Sequence, residues 1–206
     1  MAAFPESPLD LLRVTRDQAT ALLNWRELFE NDRPVELEIG SGKGLYLAAA
    51  ATQRPGHNFV GVDLARKYAK KTAERIARLG LSNVRVFCDD GRRLLVECVP
   101  SASLVALHVY FPDPWWKQRH KKRRLVNLAF ADEAARVLTK GAVLHLATDV
   151  EEYFGLMRTI FAQHQAFLAH QFSGPPGEEP AEARTSFERK YRIEGRAIYR
   201  ASYSRV

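Results

Sequence analysis

Cysteine is nearly absent from this 206-residue chain. The two that occur, Cys88 and Cys98, fit neither a metal-ligand spacing nor a disulfide framework. They read as reduced core residues of a cytosolic protein. The six histidines (His57, His108, His120, His145, His164 and His170) form no HxxxH pair and no His/Cys cluster, so no metal site is expected. Long apolar runs are missing too. The longest, near Leu45–Ala51 and Leu104–Val109, fall far short of a bilayer span, so no membrane association through a spanning helix is expected. Met1–Leu12 has no basic segment followed by an apolar one, so a secretory signal is not expected. No internal repeat is visible.

What remains is ordinary globular composition with one bias. Hydrophobic residues make up 46% and charged residues 27%, enough for a sizeable core and one domain, and too apolar for wholesale disorder. Thirty-one Lys and Arg against 24 Asp and Glu give a formal charge of +7. That excess points to an anionic partner, nucleic acid or an acidic membrane surface. It is unevenly spread. Arg66–Arg78, Lys117–Arg124 and Arg184–Arg205 together carry 19 basic and 3 acidic residues, while the rest carries 12 and 21. The basic stretches suit an RNA backbone, and the acidic remainder suits a cationic small molecule.

After a polar N-terminal stretch, expected to be a helical extension over 1–33 with Ala21, Leu22, Trp25, Leu28 and Phe29 at helical spacing, strands and helices alternate. Expected strands are Val35–Ile39, Asn58–Val62, Val84–Cys88, Leu104–Tyr110 and Val143–Ala147. Helical patterns run over Leu45–Thr52, from Ala65 to Leu79, from Leu125 to Leu138, and through Met157 and Phe161. Such alternation calls for an α/β fold with a mostly parallel sheet and helices on both faces. Ala166–Phe172 and Ala197–Tyr203 read as strands with no full crossover helix between them, hence an antiparallel pair at one edge. The Pro/Gly/Glu-rich loop between them (173–184) is expected to be mobile.

Ligands of such sheets bind beyond the carboxyl ends of the strands. Those ends carry Glu38, Asp63, Asp90 and Asp113. The turn Gly40-Ser41-Gly42-Lys43-Gly44 is neither a phosphate-binding P-loop nor a G-x-G-x-x-G dinucleotide fingerprint. Glu38, two residues before Gly40, would repel a pyrophosphate and suit a cationic amine. S-adenosylmethionine has that amine, a sulfonium and no phosphate. Asp63, 23 residues after Gly40, is placed for ribose hydroxyls, and Asp90 for an adenine amino group. Glu38 and the glycine spacing argue against a nicotinamide-dependent oxidoreductase. Asp113 lies between two prolines, followed by Trp115 and Trp116, which suit stacking on a base, and then by six positive charges in eight residues.

Four segments, Glu38–Gly44, Phe111–Arg124 (FPDPWWKQRHKKRR), Ala147-Thr148-Asp149 and Thr185-Ser186-Phe187-Glu188, resemble in order and spacing the bacterial tRNA (guanine-N7-)-methyltransferases of the TrmB type. The resemblance runs from about Val35 to Val206. It implies a Rossmann-like methyltransferase fold with an antiparallel edge strand, S-adenosylmethionine as methyl donor, no metal, and the variable-loop guanosine of tRNA as target. A methyltransferase acting on another RNA is the nearest alternative, and a non-catalytic RNA-binding protein a more distant one. By position, the resemblance makes Glu38, Gly40, Asp63, Asp90 and Asp113 cofactor contacts, with Asp113 also at the active-site position. Lys117, Asp149, Thr185 and Glu188 match substrate-contacting positions. Trp116 stands where that family often has His. The expected enzyme is a cytoplasmic monomer or homodimer.

Overall fold

The computed structural model describes residues 22–170 and 185–206. Residues 1–21 of the expected helical extension, including Ala21, the end of the strand expected to reach Phe172, and the whole loop 173–184 lie outside these residues.

Seven strands form one sheet: β1 (Val35–Ile39), β2 (Asn58–Val62), β3 (Val84–Phe87), β4 (Leu104–Tyr110), β5 (Leu138–Thr148), β6 (Phe167–His170) and β7 (Tyr199–Arg205). Their spatial order is β3-β2-β1-β4-β5-β7-β6. The first five pair in parallel. β7 runs antiparallel to β5 on one side and to β6 on the other. The last two strands thus do pair antiparallel at the edge, but β7 is inserted inside β6.

Helices cover both faces. On one, α1 (Trp25–Phe29), α4 (Gly91–Glu97), α5 (Leu128–Val137) and α6 (Glu151–Gln163) pack Leu28, Leu94, Leu95, Phe130 and Met157 onto Leu37, Leu107, Leu144 and Leu146. On the other, α2 (Leu45–Gln53) and α3 (Arg66–Arg78) bring Leu47, Ala50, Ala69 and Ile76 to Phe59, Val84 and Val86. Burial on both faces explains why the parallel strands read as near-continuous apolar runs. Cys88 and Cys98 are both buried. No described helix is long and apolar enough to cross a membrane.

The even positions of β1 break the apolar pattern. Period-two alternation puts Glu36 on the α2 face. There Glu36 lies 2.9 Å from His108 Nε2, 3.0 Å from Arg54 Nη2 and 2.8 Å from His57 Nδ1. His108 stacks on His145 of β5, and His145 Nδ1 lies 3.0 Å from the Ser202 hydroxyl of β7. A polar row therefore crosses four strands inside the protein. Burial alone would push the Glu36 carboxyl up; the hydrogen bond and charge of His108, with Arg54 and His57, outweigh it and leave its pKa at about 2.

Candidate active site

The turn after β1 is shaped by glycine. Gly40, Gly42 and Gly44 have φ of +82°, +57° and +66°, a region that L side chains avoid. α3 holds the turn from outside: Thr72 Oγ1 donates to Gly42 O (3.0 Å) and Arg75 Nε to Lys43 O (2.9 Å). Asp63, at the end of β2, ties the two loops together. Its carboxylate accepts from the N–H of Gly42 and of Ala65, each at 2.9 Å. Burial raises the Asp63 pKa, the two N–H donors oppose the rise, and the charge of Asp113 adds to it. Asp63 and Asp113 follow β2 and β4, the two strands that flank β1.

Glu38 is buried at the end of β1. Beside it the Ser41 hydroxyl is buried with no hydrogen-bond partner among the described residues. A buried carboxylate, an unsatisfied hydroxyl, an open glycine turn and an acid at the next strand end fit a ligand with an ammonium group and vicinal hydroxyls. Asp90 is the N-cap of α4; its Oδ1 accepts from Arg92 N (2.8 Å) and Arg93 N (3.4 Å). No cluster of three or more metal-ligating side chains occurs among the described residues.

The loop after β4 is held in an uncommon shape. Phe111 and Trp115, both bulky, have φ of +53° and +47°. Arg124 anchors the loop: its Nε donates to Pro114 O at 2.8 Å, its guanidinium lies over the Tyr153 ring, and Nη1 pairs with Glu152 at 3.1 Å. Arg92 Nη2 in turn donates to Arg124 O at 2.8 Å. Burial pushes the Tyr153 hydroxyl up to about 12, so it stays protonated, and its oxygen accepts from Val126 N at 3.0 Å. Asp113 and Trp116 stand exposed at the loop, and Lys117 is exposed where the two-turn 3₁₀ helix Gln118–Arg123 begins.

Asp149 follows β5 and pairs with Arg196 Nη1 at 2.5 Å. The Arg196 guanidinium also lies over Tyr191 of α7 (Ser186–Ile193), and the Tyr191 ring meets Phe111 edge-on at 5.4 Å. These contacts bring α7 to the Pro-Asp-Pro loop. Thr185 caps α7 by accepting from Glu188 N at 3.0 Å. Glu188 is 1% exposed and pairs inside the protein with Arg192 and Arg200.

The acids expected at the strand ends thus share one edge, joined by Asp149. Thr185 and Glu188 instead face the protein interior. The basic run is not uniform: Arg124 is buried, Lys121 pairs with Glu152 at 2.7 Å, and the Arg123 guanidinium lies over Trp115. Tyr191, Arg92 and Arg196 were not legible as site residues, because their partners Phe111, Arg124 and Asp149 lie far along the chain. The burial of Arg124 had a signal: it directly precedes the apolar pair Leu125-Val126.

A family model described as "Putative methyltransferase" matches residues 32–201. A tRNA (guanine-N(7)-)-methyltransferase of Rhodopirellula baltica is 37% identical over 210 residues, covering 97% of this chain and 76% of that one. The protein of the same name from Methylococcus capsulatus is 39% identical over 208 residues, covering 94% and 90%. The solved structure of the 16S rRNA methyltransferase KamB superposes with a TM-score of 0.65 at 17% identity, covering 93% of this chain and 94% of that one, a likeness of fold. The chain belongs to the tRNA (guanine-N(7)-)-methyltransferase family.

Proposed function

We propose that this protein is a single-domain enzyme that transfers a methyl group from S-adenosylmethionine to N7 of a guanosine in the variable loop of tRNA. The observation that carries the reading is that Glu38, Asp63 and Asp113 stand at the carboxyl ends of the adjacent strands β1, β2 and β4, with Asp63 bonded to the glycine turn and Asp113 in a loop followed by a basic run. When bound, S-adenosylmethionine supplies an electrophilic methyl on a sulfonium. Glu38 pairs with its amine, the turn at Gly40 lets its carboxylate end approach the backbone, Asp63 accepts from the ribose hydroxyls, and Asp90 serves the adenine side.

N7 of guanine carries a lone pair and no proton, so the step needs no general base. What this chain contributes is position and charge. Positive charge spreads over the purine as N7 is alkylated. The carboxylate of Asp113, exposed at the loop tip, stabilises that charge and accepts from the N1 and N2 hydrogens. Asp149 is the second guanine contact once Arg196 yields. Lys117 holds a phosphate or a base oxygen, since a cation beside N7 would oppose the developing charge. Thr185 and Glu188 serve the substrate side from within: they fix α7, whose half-exposed Phe187 faces outward. The basic stretches carry the tRNA backbone. We further propose a cytoplasmic monomer or homodimer.

Incubation with unmodified tRNA and labelled S-adenosylmethionine, then chain cleavage at alkali-labile 7-methylguanosine, tests the reading. Label at one variable-loop guanosine is expected, with turnover lost in Asp113→Asn. Label only in another RNA would overturn it; wild-type turnover by Asp113→Asn would overturn the electrostatic role of Asp113.

A further inference from the structure

The loop after β4 bears three aromatic rings, and two are spoken for. Phe111 meets Tyr191 edge-on. Trp115, which one would first choose as the base-stacking residue, lies edge-on to His120 at 5.8 Å and has the Arg123 guanidinium over its ring at 5.1 Å. Trp116 is 68% exposed, and no ring or cation contacts it among the described residues. An indole left this open in a loop of ordinary flexibility would mean little. Here the loop is fixed by two prolines, by the Arg124 hydrogen bond to Pro114 O, and by left-handed backbone at Phe111 and Trp115. Strained backbone of this kind persists where its surroundings over-determine it, and it clusters at functional sites. The effect is to present Trp116 three residues from Asp113, both in solvent.

We propose that Trp116 is the platform on which the target guanine stacks, and that it grips the base more tightly as the base becomes cationic. The inference rests on the reading of the protein as a guanine-N7 methyltransferase. A guanosine taken out of its stack or tertiary contact must recover that stacking elsewhere. Attack through N7 uses only the edge of the purine, which leaves its faces for an indole. An indole face attracts cations, and N7 methylation converts a neutral purine into a cationic one. Trp116 therefore favours the transition state over the ground state, which is the condition for raising turnover rather than affinity alone. Asp113 and Trp116 act on the same charge, one through a carboxylate at the base edge and the other through a π face.

Two measurements on the full chain test this. Trp116→Ala is expected to lower kcat for tRNA methylation by about 10–100-fold, from the usual worth of one base–aromatic stack. Trp116→Phe should retain most of kcat, and both variants should keep the melting temperature and the calorimetric affinity for S-adenosylmethionine. In parallel, 7-methylguanosine monophosphate should quench tryptophan fluorescence of the wild type more strongly than guanosine monophosphate does. That difference should vanish in Trp116→Ala. Wild-type kcat in Trp116→Ala, or quenching that survives it, overturns the role of Trp116 while leaving the methyltransferase reading intact. A wild-type protein that methylates no tRNA guanosine overturns both.

Discussion

Arg196 sets a guanidinium nitrogen 2.5 Å from a carboxylate oxygen of Asp149, across 47 residues of chain, and lays the same guanidinium over the Tyr191 ring. Asp149 is mostly shielded, whereas Arg196 is largely in solvent. Half-exposed pairs of this kind contribute under about 1 kcal/mol. Arg196→Ala should therefore leave thermal stability near that of wild type. Asp149→Asn should raise KM for tRNA about tenfold, the worth of one hydrogen bond to a charged group, with little change in melting temperature. Parallel melts and steady-state kinetics check both. Wild-type kinetics in Asp149→Asn would reduce the pair to a surface contact.

Glu36 predicts an acid-sensitive fold. Its carboxyl is held at about 2 in the protein, below its ordinary value of 4.5. A depressed carboxyl pKa means that the folded state favours the charged form. The stability it brings is complete above about pH 4.5 and is lost as the pH falls toward 2. Glu36→Gln leaves Arg54, His57 and His108 without their anion, and removing one member of a buried pair costs about 3–5 kcal/mol. Urea unfolding of both proteins at about pH 7 and pH 3 should show a smaller pH dependence in the variant. Equal dependence would mean that other carboxyls carry the acid transition.

The contrast between Glu36 and its neighbours marks how far the sequence could be read. Strands β1 to β5 were legible because each is a short apolar run closed by an acid or a turn. Their polar row was not: Glu36, His108, His145 and Ser202 are single residues in separate strands, and only the register brings them together. α4 escaped notice because seven residues with two arginines show too little periodicity, and α7 because its charged residues mask the buried side of the helix. β5 begins at Leu138, earlier than its apolar run, because exposed Lys140 and Gly141 extend it past a pairing irregularity opposite β4. The insertion of β7 between β5 and β6 had no local signal at all. Within the site, the acids were legible by position. The inward facing of Thr185 and Glu188 was not, since a capping residue and a ligand contact share the same residue types.

Gly44 tests the turn. A Cβ there would sit 2.6 Å from Thr72 Cγ2 and 3.1 Å from Thr72 Cα, at a φ of +66°. α3 would have to move, and with it Thr72 and Arg75, which hold the turn. Gly44→Ala should cost about 1–3 kcal/mol from overpacking and weaken S-adenosylmethionine at least tenfold by calorimetry. An unchanged affinity would separate the turn from the cofactor. Gly56→Ala, with open space around its Cβ, is the control expected to change neither.

The basic run Lys117–Arg124 should divide into two kinds of residue under mutation. Arg119 and Lys122 are exposed and have no acidic partner within salt-bridge distance among the described residues, whereas Arg124 is 3% exposed and carries Pro114, Glu152 and Tyr153. A phosphate contact releases counterions, so removing one should reduce the slope of log affinity against log salt by about 0.7–0.9. Arg119→Ala and Lys122→Ala are expected to do this without altering the melting temperature. Arg124→Ala should act in the opposite way. It strips the Pro114 carbonyl of its partner, leaves Glu152 with Lys121 alone, costs about 1–3 kcal/mol, and lets the Asp113 loop relax, so kcat falls while the salt slope holds. Filter binding over a salt series, with melts and turnover on the same three variants, distinguishes the two kinds. If Arg124→Ala lowered the salt slope and kept its stability, the guanidinium would be reaching RNA rather than bracing the loop. If Arg119→Ala and Lys122→Ala both kept the wild-type slope, the run would be a solvated surface and the backbone contact would have to come from α3 or the C-terminal basic stretch.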